Sequence, residues 1–101
     1  MKKTLENSTV VKVEGDMLTI DKKDTFFSNS KMCIKIKDIT GLLEWNEIII
    51  VLGKGIYTEY ELNEKNKEKI KSQPNTIIGE KNEIEDIYAE LYILLQNVPN
   101  M

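Results

Sequence analysis

Histidine and arginine are both absent from this chain, cysteine and alanine occur once each, and proline twice. Each absence removes a class of chemistry. Without histidine there is no Ser-His-Asp or Cys-His relay and no imidazole ligand for zinc or iron. The lone Cys33 permits no intramolecular disulfide and no thiolate zinc site, which agrees with a reducing compartment. It has lysine neighbours and no base, so it reads as a filler on a strand face rather than a nucleophile. Lysine supplies all of the positive charge, and it lacks the planar fork that reads guanine edges, so no sequence-specific nucleic-acid partner is expected. Gly53-Lys54-Gly55 lacks the spacing of a phosphate-binding loop and reads as a hairpin turn. Asp21 and Asp24 do not follow the pattern of a calcium loop. No metal and no cofactor are expected.

Long apolar runs are also missing. Ile48 to Leu52 and Leu91 to Leu95 are the longest, far short of the roughly 20 residues that cross a bilayer. Lys2 and Lys3 are followed by Glu6, Asn7 and Ser8 where a secretory leader would need apolar residues, so a cytoplasmic protein is expected. The net charge of −3 comes from 17 acidic residues against 14 lysines. Fourteen isoleucines and nine asparagines beside the single Ala89 are what an A+T-rich genome produces, which suggests a low-GC bacterium or one of its phages.

What is present describes one α+β domain over 1–101, since 41% hydrophobic residues in 101 support a single core. The stretch 9–62 is strand-rich. Val10 to Val13 and Met17 to Ile20 flank Glu14-Gly15-Asp16 and form a hairpin. Phe26 and Phe27 lie in a polar loop, either folded back on the core or offered to a partner. Lys31 to Ile39 alternates, with Met32, Ile34 and Ile36 on one face and Cys33, Lys35 and Lys37 on the wet one. Ile48 to Leu52 is a central strand buried on both faces. Ile56 to Leu62 alternates again and is the expected return strand, with Glu59 and Glu61 on one face. Residues 63–72 are charged apart from Ile70 and form either a short helix or a loop; Thr76 to Ile78 forms a further short strand. The last helix is expected over 83–98, with Asn82 as N-cap, Glu85 completing a capping box, and Pro99 ending it. Its apolar stripe runs through Ile84, Ile87, Tyr88, Leu91, Leu94, Leu95 and Val98, leaving Tyr92 and Ile93 outside.

The resulting fold is a strongly bent antiparallel sheet or open barrel of about five to seven strands, packed against a C-terminal amphipathic helix. The expected function is binding rather than catalysis: a non-enzymatic accessory or inhibitor protein that engages a protein partner through an acidic surface. Glu59, Glu61, Glu83, Glu85 and Asp86 are the candidate charges, with Trp45, Tyr92 and Ile93 as candidate apolar anchors. A homodimer through the C-terminal helix would also cover Tyr92 and Ile93. Lys35 and Lys37, joined by Lys12, Lys22, Lys23 and Lys31, offer either a phosphate-binding patch or ordinary protection of an edge strand.

The run Ile34 to Leu42, then Glu47 to Val51, a glycine turn and Ile56 to Leu62, resembles the middle strands of bacterial pleckstrin-homology-like domains. That resemblance covers about half the chain and rests on pattern. It implies a bent antiparallel sheet plugged at one end by the last helix, and a scaffold that binds lipid headgroups, peptides or other proteins. A docking module for anionic lipid or a peptide, using the lysine face, is therefore the alternative function. The charged 63–72 segment departs from the pattern, standing where another strand would be expected.

Overall fold

The computed structural model describes residues 1–23 and 30–96. Phe26 and Phe27, and the end of the expected last helix with Val98 and Pro99, lie outside the described residues. Among the described residues seven strands form two antiparallel sheets, which do not close into a barrel. The first sheet is a meander of β1 (Lys2–Thr4), β2 (Val10–Glu14), β3 (Met17–Lys22) and β4 (Ser30–Lys35). The second is β5 (Ile39–Trp45), β6 (Ile48–Gly53) and β7 (Thr76–Ile78). A short α1 (Lys67–Lys71) precedes β7, and the long α2 (Lys81–Gln96) ends the described fold.

Turn chemistry sets the hairpins. Gly15 takes φ 61 in the turn between Glu14 and Met17, which suits the twist of the flanking strands. Asn46 at φ 48 and Glu47 at φ 64 both enter the left-handed region between the paired Trp45 and Ile48, so this turn is type I′. The expected strand from Lys31 to Ile39 is shorter than its alternation suggests. It ends at Lys35, and Ile36–Asp38 forms a 3-10 turn whose first N–H, at Ile36, donates to Asp16 O at 2.8 Å. Buried Ile36 keeps the chain on the core through this corner, and β5 starts the second sheet.

The return strand over Ile56 to Leu62 does not form. The glycine turn is present, with Gly53 and Ile56 exchanging both backbone hydrogen bonds at 3.0 Å, but pairing stops at that one bridge. Two causes are visible. Of the two central residues only Gly55, the second, has positive φ, at 74; this is the mark of a type II turn, which splays the strands it joins. The free side of β6 is then taken by β7, which pairs Ile48 with Ile78, Ile49 with Ile77 and Ile50 with Thr76. Asn75 extends that pairing, its carbonyl accepting from Val51 N–H at 2.9 Å and its side-chain amide donating to Val51 O at 2.9 Å.

β6 is accordingly the central strand, buried on both faces from Ile48 to Val51. Ile49 and Val51 join the main core with Val11, Leu18 and Ile20 from the first sheet and Ile84, Ile87 and Leu91 from α2. Ile48 and Ile50 face the other way, into a second cluster with Ile70 of α1, flanked by Trp45, Leu52, Tyr60, Leu62 and Ile78. The charged 63–72 segment is thus helical for a reason. A 3-10 turn at Glu64–Asn66, capped by Asn63 Oδ1 accepting from Asn66 N–H at 3.0 Å, leads into α1 and drives Ile70 onto the sheet.

α2 starts earlier than expected, and its cap is different. The Glu83 carboxylate accepts from Glu80 N–H at 2.9 Å and from Glu6 N–H at 3.0 Å. Glu83 therefore plays the capping part expected of Glu85, with Glu80 rather than Asn82 at the boundary. Asn7 Nδ2 donates to Ile78 O at 2.9 Å beside this point, so the β1–β2 turn is fastened where β7 passes into α2.

Candidate protein-docking surface

Helical spacing buries Ile84, Ile87 and Leu91, and Tyr88 and Leu95 lie half-buried beside them. Tyr92 and Ile93 are 49% and 58% exposed. They project from the described end of α2 as a ridge, and the Tyr92 ring stacks on that of Tyr88 with centroids 6.3 Å apart. A groove flanks the ridge on each side. One, of about 360 Å³, runs between α2 and β5 and is lined by Ile39, Gly41, Leu42, Tyr88, Tyr92 and Leu95. The other, of about 450 Å³, separates α2 from the first strand and is lined by Met1, Lys2, Lys3, Glu90, Ile93 and Leu94. Lys3 pairs with Glu90 at 3.4 Å on that side.

β5 adds a second feature to the same surface. It pairs with β6 on one side only, and among the described residues no backbone group of another element bonds its outer edge. Trp45 and Ile48 close a two-residue hairpin, so the N–H and C=O groups of Leu43 turn to β6 while those of Leu42 and Glu44 turn outward. Leu43 is 39% exposed on the face opposite α2.

The acidic candidates do not form one patch. Glu59 and Glu61 are exposed on an irregular segment, not on a strand. Their neighbours Tyr60 and Leu62 cover the α1 side of the second sheet. Glu85 and Asp86 are exposed on α2, which packs on the other side. Glu83 is engaged in the cap. Trp45 is half-buried against the cluster of Ile48, Ile50 and Ile70.

The lysine candidates also separate. Cross-strand register places Lys2, Lys12, Lys31 and Lys35 on the outer face of the first sheet, with Thr19 and Cys33 between them. Glu14 and Asp21 share that face, Glu14 3.5 Å from Lys12 and Asp21 3.3 Å from Lys23. Lys37 is not on it, because it lies in the 3-10 turn. Lys22 is on the opposite face and 2% exposed. Its ammonium donates to Lys71 O at 2.6 Å, Gln73 O at 2.9 Å and Thr76 Oγ1 at 2.7 Å. It thereby ties β3 to the carbonyl end of α1, where a cation is favoured.

Tyr92 and Ile93 were legible from their position outside the helical stripe. The β5 edge and Leu43 were not, because no local pattern marks a strand as the last in its sheet. No family model, curated protein or solved structure matches the chain.

Proposed function

We propose that this chain is a non-enzymatic protein-binding module, and that the ridge of Tyr92 and Ile93 with the neighbouring β5 edge is where a partner docks. The exposure of two large apolar side chains on an otherwise well-packed helix carries the reading. A tyrosine stacked on its neighbour presents area with little rotamer freedom left to lose, which suits an anchor. The chain has no histidine, so no imidazole base stands beside the exposed Cys33. The count of four antiparallel strands, then three, then a closing helix, fits the pleckstrin-homology-like reading of the scaffold, but the middle strand that reading took from Ile56 to Leu62 does not form. Composition supports a bacterial or phage accessory protein of the cytoplasm. Among the described residues no helix is long and apolar enough to cross a membrane.

The test is capture of partners from native lysate by the intact chain and by three variant sets. Tyr92→Ser with Ile93→Ser is expected to abolish capture, since anchors of this kind contribute about 2 kcal/mol or more each. Glu85→Lys with Asp86→Lys, and Glu59→Lys with Glu61→Lys, measure whether acids on either side of the second sheet steer the partner. Capture that survives Tyr92→Ser with Ile93→Ser and fails in a charge reversal replaces the apolar reading with the acidic one. The gathering of Lys2, Lys12, Lys31 and Lys35 on one sheet face supports a second reading, docking on anionic lipid. Sedimentation with phosphatidylserine vesicles at low salt, lost in Lys31→Glu with Lys35→Glu, is its signature.

A further inference from the structure

An open sheet edge templates pairing with another strand, and proteins usually blunt it with lysine or brevity. Among the described residues, three of the four edges are blunted in these ways. β1 has three residues and carries Lys2 and Lys3; β4 carries Lys31 and Lys35; β7 has three residues and leads at once into α2. β5 is the exception. Its seven residues, Ile-Thr-Gly-Leu-Leu-Glu-Trp, make it the longest strand among the described residues and include no lysine. Its register with β6 slips between Ile39 and Gly41, so the regular run is Gly41 to Trp45 with Leu43 at its midpoint.

We propose that the occupant of this edge is a second copy of the chain, its β5 pairing antiparallel with the first about a two-fold axis at Leu43. The proposal rests on reading this surface as a protein-docking site. The run is complementary to itself about that point. Leu43 meets Leu43 of the other copy, so each covers the exposed side chain of its twin. Leu42 lies opposite Glu44, and these are the residues whose N–H and C=O groups point outward, so both pairs close with backbone hydrogen bonds. Trp45 lies over Gly41, where there is no side chain to clash. No charge stands directly against its like, whereas a two-fold at Glu44 would set two carboxylates face to face. The contact is isologous and closes on itself, giving a dimer rather than a fibre. The groove between β5 and α2 opens on the same edge, so the second copy also shields Leu42 and Tyr92.

The test uses the full chain. Sedimentation velocity across a concentration series is expected to give twice the 11.7 kDa monomer mass. Leu43→Lys places two ammonium groups together on the axis and is expected to restore the monomer while leaving the circular dichroism unchanged. In a Cys33→Ser background, Leu43→Cys puts two thiols in a directly opposed non-hydrogen-bonded pair and is expected to yield a disulfide-linked dimer on mild oxidation. Thr40→Cys in the same background leaves its thiols roughly 20 Å apart in this register and is expected not to cross-link. A wild-type chain monomeric throughout, a dimer indifferent to Leu43→Lys, or equal cross-linking at both positions overturns the proposal. If the chain is monomeric but partner capture still depends on Tyr92 and Ile93, the docking reading stands without the dimer. A dimer that responds to Leu43→Lys while capture is indifferent to Tyr92 and Ile93 upholds the strand pairing and removes the docking ridge.

Discussion

Glu47 occupies a backbone conformation that suits it poorly. At φ 64 in the type I′ turn it holds the second central position, where glycine meets no steric penalty, and Asn46 before it already suits the first. Glu47→Gly is expected to stabilise the fold by about 0.5–1 kcal/mol, read as a rise in urea midpoint with unchanged slope. Lys22 is the opposite case, an ammonium buried for structural reasons. Lys22→Met keeps most of the apolar stem of the side chain and removes the ammonium that donates to Lys71 O, Gln73 O and Thr76 Oγ1. A loss of about 1.5–3 kcal/mol is expected in the same measurement, because the charge-assisted bonds of the ammonium are lost while Thr76 Oγ1 goes on donating to Lys71 O and Gln73 O. In the sequence Lys22 reads as one more member of a wet patch. Its alternation with Leu18 and Ile20 does place it on the core face, but only α1 and β7 arriving from 49 and 54 residues away give the charge a reason to be there.

Among the elements, α2 was the most legible. Its stripe of Ile84, Ile87 and Leu91 is buried as the spacing predicts, and the exposure of Tyr92 and Ile93 follows from the same arithmetic. Its start was less so, because the local pattern favours Asn82 with Glu85 and Glu80 is not a residue type that usually begins a capping box. The choice fell to Glu83, whose carboxylate also reaches Glu6 N–H, 77 residues away in the chain. Glu83→Ala is expected to cost about 1–2 kcal/mol, and hydrogen exchange should show the first turn of α2 and the Glu6 amide opening together. Residues 56–62 show the limit of local pattern. Their alternation is that of a strand, and the turn before them is correctly a turn. The partner edge they needed went to β7, so Tyr60 and Leu62 pack as a cover over the sheet instead.

For the molecule as a whole, the second sheet divides two apolar clusters, and β6 contributes to both. Ile70→Ala empties the centre of the smaller one and is expected to cost about 2–5 kcal/mol. Exchange of amides in 57–71 should accelerate most, while Val11, Leu18 and Ile20 stay protected, since they belong to the main core on the other side of the sheet. The same division explains why the acids form no single patch: Glu59 and Glu61 belong to the cover on one side and Glu85 and Asp86 to the helix on the other. This is why the docking surface proposed above is built from exposed apolar residues and not from net charge.

By itself the sequence determined the α+β class, the hairpin at Gly15, the doubly buried strand that begins at Ile48 and the apolar face of the last helix. These rest on periodicity and turn chemistry, which act between residues close in the chain. Only the tertiary structure decided which strand took the free side of β6, which acid capped α2, why Lys22 is buried, and that β5 has no neighbouring strand on its outer side among the described residues. Each of those is a competition between groups far apart in sequence for one partner, and the outcome is fixed by which of them the packed core brings within reach.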